Sequence, residues 1–307
     1  MKTISYLTLS ALVIISGALS VSCKKETEQQ ELAEQTAEPV VIKLWENKTP
    51  PVSNELPVDA EVKENEGWIS NVTQPELTVY PAPEPNGTAL LMCPGGGYGG
   101  VAISHEGKDL APILNKEGIT LAVLKYRMPN GHSEVPGDDV KESLRILHER
   151  AGEWGIDVNR IGIGGASAGG HLASTIATHP SDDYPAPAFQ MLLYPVISMK
   201  EGITHQGSRN GLLGDNPDQE TVDFYSNELM VSSQTPPAFI AVSTDDSVVP
   251  LQNSLDYYNA LLNNGVPSSL HIYPVGNHGW GTNPEFQYHD EWIAEMIAWL
   301  KSFSPQQ

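Results

Sequence analysis

From about residue 39 onward, short apolar runs alternate with stretches in which hydrophobic positions recur every three or four residues. The apolar runs fall at 77–80, 89–93, 119–126, 160–164, 189–194, 239–243 and 270–273, and each predicts a strand. Several are apolar without interruption, which suits strands covered on both faces. Between them, helical periodicity predicts helices at 109–116, 139–153, 170–179, 252–263 and 290–303. In the last of these, Trp292, Ile293, Met296, Ile297 and Leu300 form one stripe and predict a face turned to the core. Strand and helix in alternation mark an α/β fold with a mostly parallel central sheet flanked by helices. The segment 198–237 breaks the alternation, so it is expected either to pack over a site opening or to form a plain surface excursion.

The first 22 residues follow a different pattern. Lys2 precedes an apolar stretch at 7–19 that is shorter than a membrane span, which predicts an export signal. Its end, Leu19-Ser20-Val21-Ser22-Cys23, resembles a bacterial lipoprotein signal, and that resemblance implies a lipid on Cys23 as the first mature residue, in the cell envelope. Ordinary signal cleavage after Ser22 is the alternative. Residues 24–38 hold five Glu and three Gln with almost no large apolar side chain, so 23–40 are expected to form a flexible acidic tether to one folded domain at 41–305.

Composition narrows the chemistry. The 307 residues, 40% hydrophobic and 18% charged, suffice for one sizeable core. Lys and Arg number 17 against 38 Asp and Glu, a net charge of −21, and a surface of that sign repels phosphate backbones. Nucleic acid is thereby excluded as a partner. Cys23 and Cys93 are too few for a disulfide framework or a thiolate cage. Neither a phosphate-loop motif nor His-Glu-x-x-His occurs, and the histidine spacing implies no metal. Residues 95–100 match the dinucleotide fingerprint Gly-x-Gly-x-x-Gly, yet 119–127 lack the acidic residue that would bind the ribose, so no cofactor is expected.

The chemistry concentrates where Gly165-Ala166-Ser167-Ala168-Gly169 joins an apolar run to a helical one. A serine on a sharp strand-to-helix turn has its oxygen exposed, and small neighbours let the chain pass closely enough to make that turn. Such a hydroxyl needs a base, and the base needs an acid to hold its tautomer. In this fold class the acid and then the histidine follow the serine. The run 239–243 ends in Thr244-Asp245-Asp246-Ser247-Val248-Val249-Pro250, which makes Asp246 the first candidate and Asp245 the second. Of the histidines beyond them, His271 lies within a strand run and His289 opens a helix. His278 stands in Gly276-Asn277-His278-Gly279-Trp280-Gly281, past the last strand, and is the candidate base. His171, one helical turn beyond Ser167, competes by proximity but is expected to point into the packing.

After the strand at 89–93 comes Pro94-Gly95-Gly96-Gly97-Tyr98-Gly99-Gly100. Backbone N–H groups in such a loop can aim at a developing oxyanion. Gly96 and Gly97 are the candidate donors, together with Ala168 after the serine.

With these elements in order, the chain resembles the α/β-hydrolase esterases, and most nearly the exported bacterial carbohydrate esterases of the acetylxylan-esterase type. The residues that carry the resemblance are Cys93 to Tyr98, His105-Glu106-Gly107, Leu124-Lys125-Tyr126-Arg127, Ser167 to Ala173, Leu193-Tyr194-Pro195-Val196, Asp246 to Pro250 and His278-Gly279-Trp280. Pro94 stands where lipase-like relatives have His before the glycines. The resemblance implies an α/β-hydrolase fold with a small cap or none, and hydrolysis of short, acetyl-type esters on plant or algal polysaccharide such as xylan. The implied partner is an ester-bearing carbohydrate, with membrane contact only through the N-terminal lipid. A feruloyl-type esterase or a serine peptidase would use the same scaffold, and a catalytically silent binding module would keep the sheet alone.

Overall fold

The computed structural model describes residues 38–65 and 67–303. The expected export signal, Cys23 and most of the tether lie outside these residues. Along the chain the strands are β1 (Val40–Lys43), β2 (Val62–Lys63), β3 (Ile69–Ser70), β4 (Glu76–Tyr80), β5 (Ala89–Cys93), β6 (Gly100–Val101), β7 (Thr120–Lys125), β8 (Ile161–Ala166), β9 (Gln190–Leu193), β10 (Ala238–Ser243) and β11 (Ser268–Tyr273). The α-helices are α1 (Ala111–Asn115), α2 (Val135–Glu149), α3 (Ser167–Thr178), α4 (Gln206–Leu213), α5 (Gln219–Phe224), α6 (Asn227–Met230), α7 (Gln252–Asn263) and α8 (His289–Lys301).

Eight strands form one sheet in the order β1-β4-β7-β5-β8-β9-β10-β11. From β7 to β11 every pairing is parallel, and β1 and β4 add antiparallel to one side. Each residue of β5, β7, β8, β9 and β10 is buried, which is why these runs lack polar alternation. β4, near the edge, alternates buried and half-buried positions. Within the central strands successive side chains point to opposite faces. Leu91, Leu124, Ile163, Leu192 and Ile240 pack with Leu144 of α2, Leu172 of α3 and Tyr257 of α7. Leu90, Met92, Leu121, Met191 and Phe239 pack with Leu114 of α1 and with Trp292, Met296 and Leu300 of α8.

The structure departs from the periodicity at particular places. Helix α3 begins at Ser167, three residues before its pattern becomes recognisable, because Gly169 and Gly170 disguise its first turn. Helix α2 starts early, at Val135, with Pro136 in its first turn, where proline is well suited. It ends at Glu149, and a 3-10 turn at Ala151–Trp154 closes on Gly155 in the left-handed region. The small antiparallel sheet β2-β3-β6 has strands of two residues each, too short for any pattern to reveal. Its neighbour Trp68 lies against the glycine loop, 3.1 Å from where a Cβ on Gly96 would stand. The excursion 198–237 contains α4, α5 and α6 and packs on that loop as well: a Cβ on Gly211 would stand 3.1 Å from Tyr98 Cβ.

Candidate active site

Strand β8 runs extended to Ala166, and the backbone turns at Ser167, whose φ of 53° lies in the left-handed region. A side chain bearing a Cβ carries strain there, on the order of 1–3 kcal/mol. The surrounding glycines make the turn possible. A Cβ on Gly165 would collide with the Gly169 carbonyl, and one on Gly169 with the Cys93 carbonyl. Val196 N–H donates to the Ser167 carbonyl at 3.0 Å and ties the elbow to the chain beyond β9. The serine side chain is thus presented at the carboxyl edge of the sheet, at the start of α3.

His278 arrives from the loop after β11, across 111 residues of sequence. Its Nε2 lies 2.8 Å from Ser167 Oγ and its Nδ1 lies 2.7 Å from Asp246 Oδ2. A carboxylate only accepts, so the ring proton sits on Nδ1 and the Nε2 lone pair faces the serine hydroxyl. The other Asp246 oxygen accepts the N–H groups of Val248 and Val249 at 2.9 and 2.8 Å, which fixes the carboxylate plane. It is therefore Asp246 whose carboxylate reaches the imidazole. Asp245 Oδ1 instead accepts Asn277 N–H at 2.8 Å, and Asn277, with φ of 51°, turns the loop just before His278. The two neighbouring aspartates hold the ring and the loop that carries it.

The remaining histidines weighed from the sequence lie elsewhere. His271 stacks on Phe239 and pairs with Glu295, and His289 pairs with Asp290. His171 is fully buried; its Nδ1 lies 2.8 Å from Tyr98 Oη and its Nε2 2.8 Å from the Tyr225 carbonyl. That carbonyl can only accept, so Nε2 carries the proton and Tyr98 donates to Nδ1. Burial lowers the His171 pKa to about 4 and keeps it neutral. The ring joins the glycine loop to the excursion.

The glycine loop passes in front of the serine. Gly96, Gly97 and Tyr98 have φ of 140°, 63° and 60°. Gly99 and Gly100 both donate to the Gly96 carbonyl, and Tyr126 Oη donates to the Pro94 carbonyl at 2.8 Å. The first loop amide is already engaged, because Gly95 N–H donates to Glu106 Oε2 at 2.8 Å. A Cβ on Gly95 would stand 2.8 Å from Ser167 Cβ, so loop and elbow touch. Gly96 and Gly97 follow on the loop, and Ala168 follows the serine at the positive end of α3.

A link that sequence patterns do not reveal runs behind these groups. Glu106 is 3% exposed, and its Oε1 accepts the Tyr194 hydroxyl at 2.8 Å. Tyr194 Oη in turn accepts Gly281 N–H at 2.9 Å, and its ring meets His278 edge-on at 4.7 Å. Burial, reinforced by the Glu106 charge, holds the Tyr194 phenol well above its ordinary pKa, so it stays a donor. One carboxylate thus braces both the glycine loop and the loop carrying His278. Both residues stand in segments that carry the family resemblance, but their pairing spans 88 residues and has no local signal.

A scan against family models matches residues 112–305 to the prolyl oligopeptidase family. Among curated proteins, an acetylxylan esterase of Xylanibacter ruminicola is 40% identical over 238 residues, covering 76% of this chain and 49% of that protein. An endo-1,4-β-xylanase B of Butyrivibrio fibrisolvens is 34% identical over 204 residues, covering 62% of this chain and 32% of that protein. The chain therefore spans about half or less of these curated relatives. Among solved structures, an acetyl ester-xyloside bifunctional hydrolase from Caldicellulosiruptor lactoaceticus is 36% identical with a TM-score of 0.71, covering 86% of this chain and 96% of that one. The family match takes in α3, the Asp246 turn and the His278 loop, and the similarity to the solved relative extends over 86% of this chain. On that ground the chain belongs to the prolyl oligopeptidase family and has the α/β-hydrolase fold.

Proposed function

We propose that this protein is a serine esterase that removes acetyl groups from a xylan-type polysaccharide. The carrying observation is the chain of contacts from Ser167 Oγ through His278 to Asp246, at 2.8 and 2.7 Å. In this reading His278 takes the Ser167 proton as the oxygen attacks the acetyl carbonyl, and Asp246 orients the ring and stabilises the imidazolium. The amides of Gly96, Gly97 and Ala168 receive the oxyanion. As the acyl C–O bond breaks, His278 gives its proton to the departing sugar oxygen, which leaves as a hydroxyl. Water attacks the acetyl-serine by the same proton route, releasing acetate and restoring the hydroxyl. The carbohydrate side rests on the relatives, named for acetylxylan and for an acetyl ester-xyloside.

Acetate release from acetylated xylan by the purified protein tests this reading. Ser167→Ala should lower turnover by about 10³ or more with the fold intact. A variant near the wild-type rate would end the assignment. The family description favours one second reading, a peptidase. Cleavage of peptide p-nitroanilides without acetate release would select it. We also propose that Cys23 carries a lipid that tethers the domain to the cell envelope. Detergent-phase partitioning of the expressed protein, lost in Cys23→Ser, supports this; partitioning unchanged by the substitution refutes it. No helix among the described residues is long and apolar enough to cross a membrane.

A further inference from the structure

His205 stands in the excursion, at the N-cap of α4, and its ring lies against the glycine loop. Its Cε1 is 3.6 Å from where a Cβ on Gly97 would stand, so any side chain at Gly97 would meet this imidazole. The ring caps the helix through Nδ1, which takes Ser208 N–H at 3.2 Å and lies 2.9 Å from Ser208 Oγ. A backbone N–H can only donate, so the Nδ1 lone pair is occupied and the neutral ring carries its proton on Nε2. Capping alone does not require histidine, since Asn, Ser, Thr or Asp would serve. What the imidazole adds is a second nitrogen, a donor with no protein partner among the described residues on a ring that is only half-buried.

The ring also belongs electrostatically to the site. Burial lowers its pKa, the like charge of His278 adds to this, and Asp246 opposes both. It therefore stays neutral near pH 7. With its proton on Nε2 it cannot take a proton from Ser167, whose hydroxyl already faces His278. Its available chemistry is that of a neutral hydrogen-bond donor beside the glycine loop. Such a donor suits an uncharged oxygen with free lone pairs, as on a sugar ring, and the imidazole lies against the loop that carries the candidate oxyanion amides Gly96 and Gly97.

We propose that His205 is a specificity residue that donates from Nε2–H to a pyranose hydroxyl next to the acetyl ester. This rests on the esterase reading and adds to it the group that recognises the carbohydrate.

The experiment compares kcat/KM on an acetylated xylo-oligosaccharide with kcat/KM on p-nitrophenyl acetate, which has no sugar hydroxyl. In His205→Asn the amide oxygen preserves the cap while the Nε2–H is lost. The ratio of the two constants, oligosaccharide over p-nitrophenyl acetate, should fall about tenfold, as expected for a lost hydrogen bond to substrate. His205→Ala removes cap and donor together. It should show the same fall in ratio with a lower denaturation midpoint, which separates recognition from helix capping. An unchanged ratio in His205→Asn, or equal loss on both substrates, overturns the proposal. A wild-type protein that cleaves p-nitrophenyl acetate but not the oligosaccharide overturns the carbohydrate reading itself, and the role of His205 falls with it.

Discussion

Glu106→Gln probes the brace behind the site without changing its shape. In the wild type two donors converge on one buried carboxylate, Gly95 N–H on Oε2 and Tyr194 Oη on Oε1, each at 2.8 Å. A glutamine offers one acceptor oxygen and one NH₂ in place of two acceptor oxygens, so one of the two donor protons loses its acceptor. An unpaired buried donor costs about 1–3 kcal/mol, and an unfolding free energy lower by about 2 kcal/mol is expected. The larger effect should fall on turnover. Gly95 directly precedes the candidate oxyanion amides, and Gly281, held by Tyr194 Oη, lies three residues beyond His278. Misplacement by about 1 Å at reacting groups costs up to about 10²-fold, so kcat should fall about 10- to 100-fold while KM stays within about twofold. Urea denaturation and steady-state kinetics on p-nitrophenyl acetate measure the two effects. Tyr194→Phe breaks the same link from its other end, so the double variant should lose less than the two single losses added together. A Glu106→Gln enzyme with full kcat and reduced stability would refute the reasoning and leave the carboxylate a support of the interior alone.

Other outcomes follow from individual contacts. Asp246→Asn should reduce kcat by on the order of 10³–10⁴ by releasing the imidazole tautomer, whereas Asp245→Asn, which still accepts Asn277 N–H, should lose less than about tenfold; equal losses would contradict the separate roles. The His171 pKa is about 4 in the fold against about 6.5 for a free histidine, so the unfolded chain binds this proton first as pH falls. Stability linked to this site is therefore fully present above about pH 6.5 and declines to about pH 4, by up to about 3 kcal/mol. Denaturation midpoints taken across that window should slope less in His171→Gln, and parallel curves would refute the assignment. Gly169→Ala places a methyl group on the Cys93 and Pro94 carbonyls, which cannot swing aside as a side chain does; stability should fall by about 3 kcal/mol or more, read by thermal melting.

Some of this protein was legible along the chain. The strand Ala89–Cys93 and the helix Gln252–Asn263 have the bounds that periodicity predicts, since one is an unbroken apolar run stopped by Pro94 and the other a clean amphipathic stripe. Ser167 was legible because a strand-to-helix elbow demands small residues at fixed offsets. The strand β1, the two-residue strands and the helices of the excursion were not, because each is too short or too polar to impose a period.

Local sequence determined the parallel sheet, the elbow and a short roster of polar groups at its edge, because period and turn chemistry act within about a dozen residues. Which aspartate meets the ring, how Glu106 clasps two loops, and that His205 reaches the glycine loop were decided only by tertiary structure. Those pairings join residues from 11 to more than a hundred positions apart, and their geometry exists only once the sheet has been built.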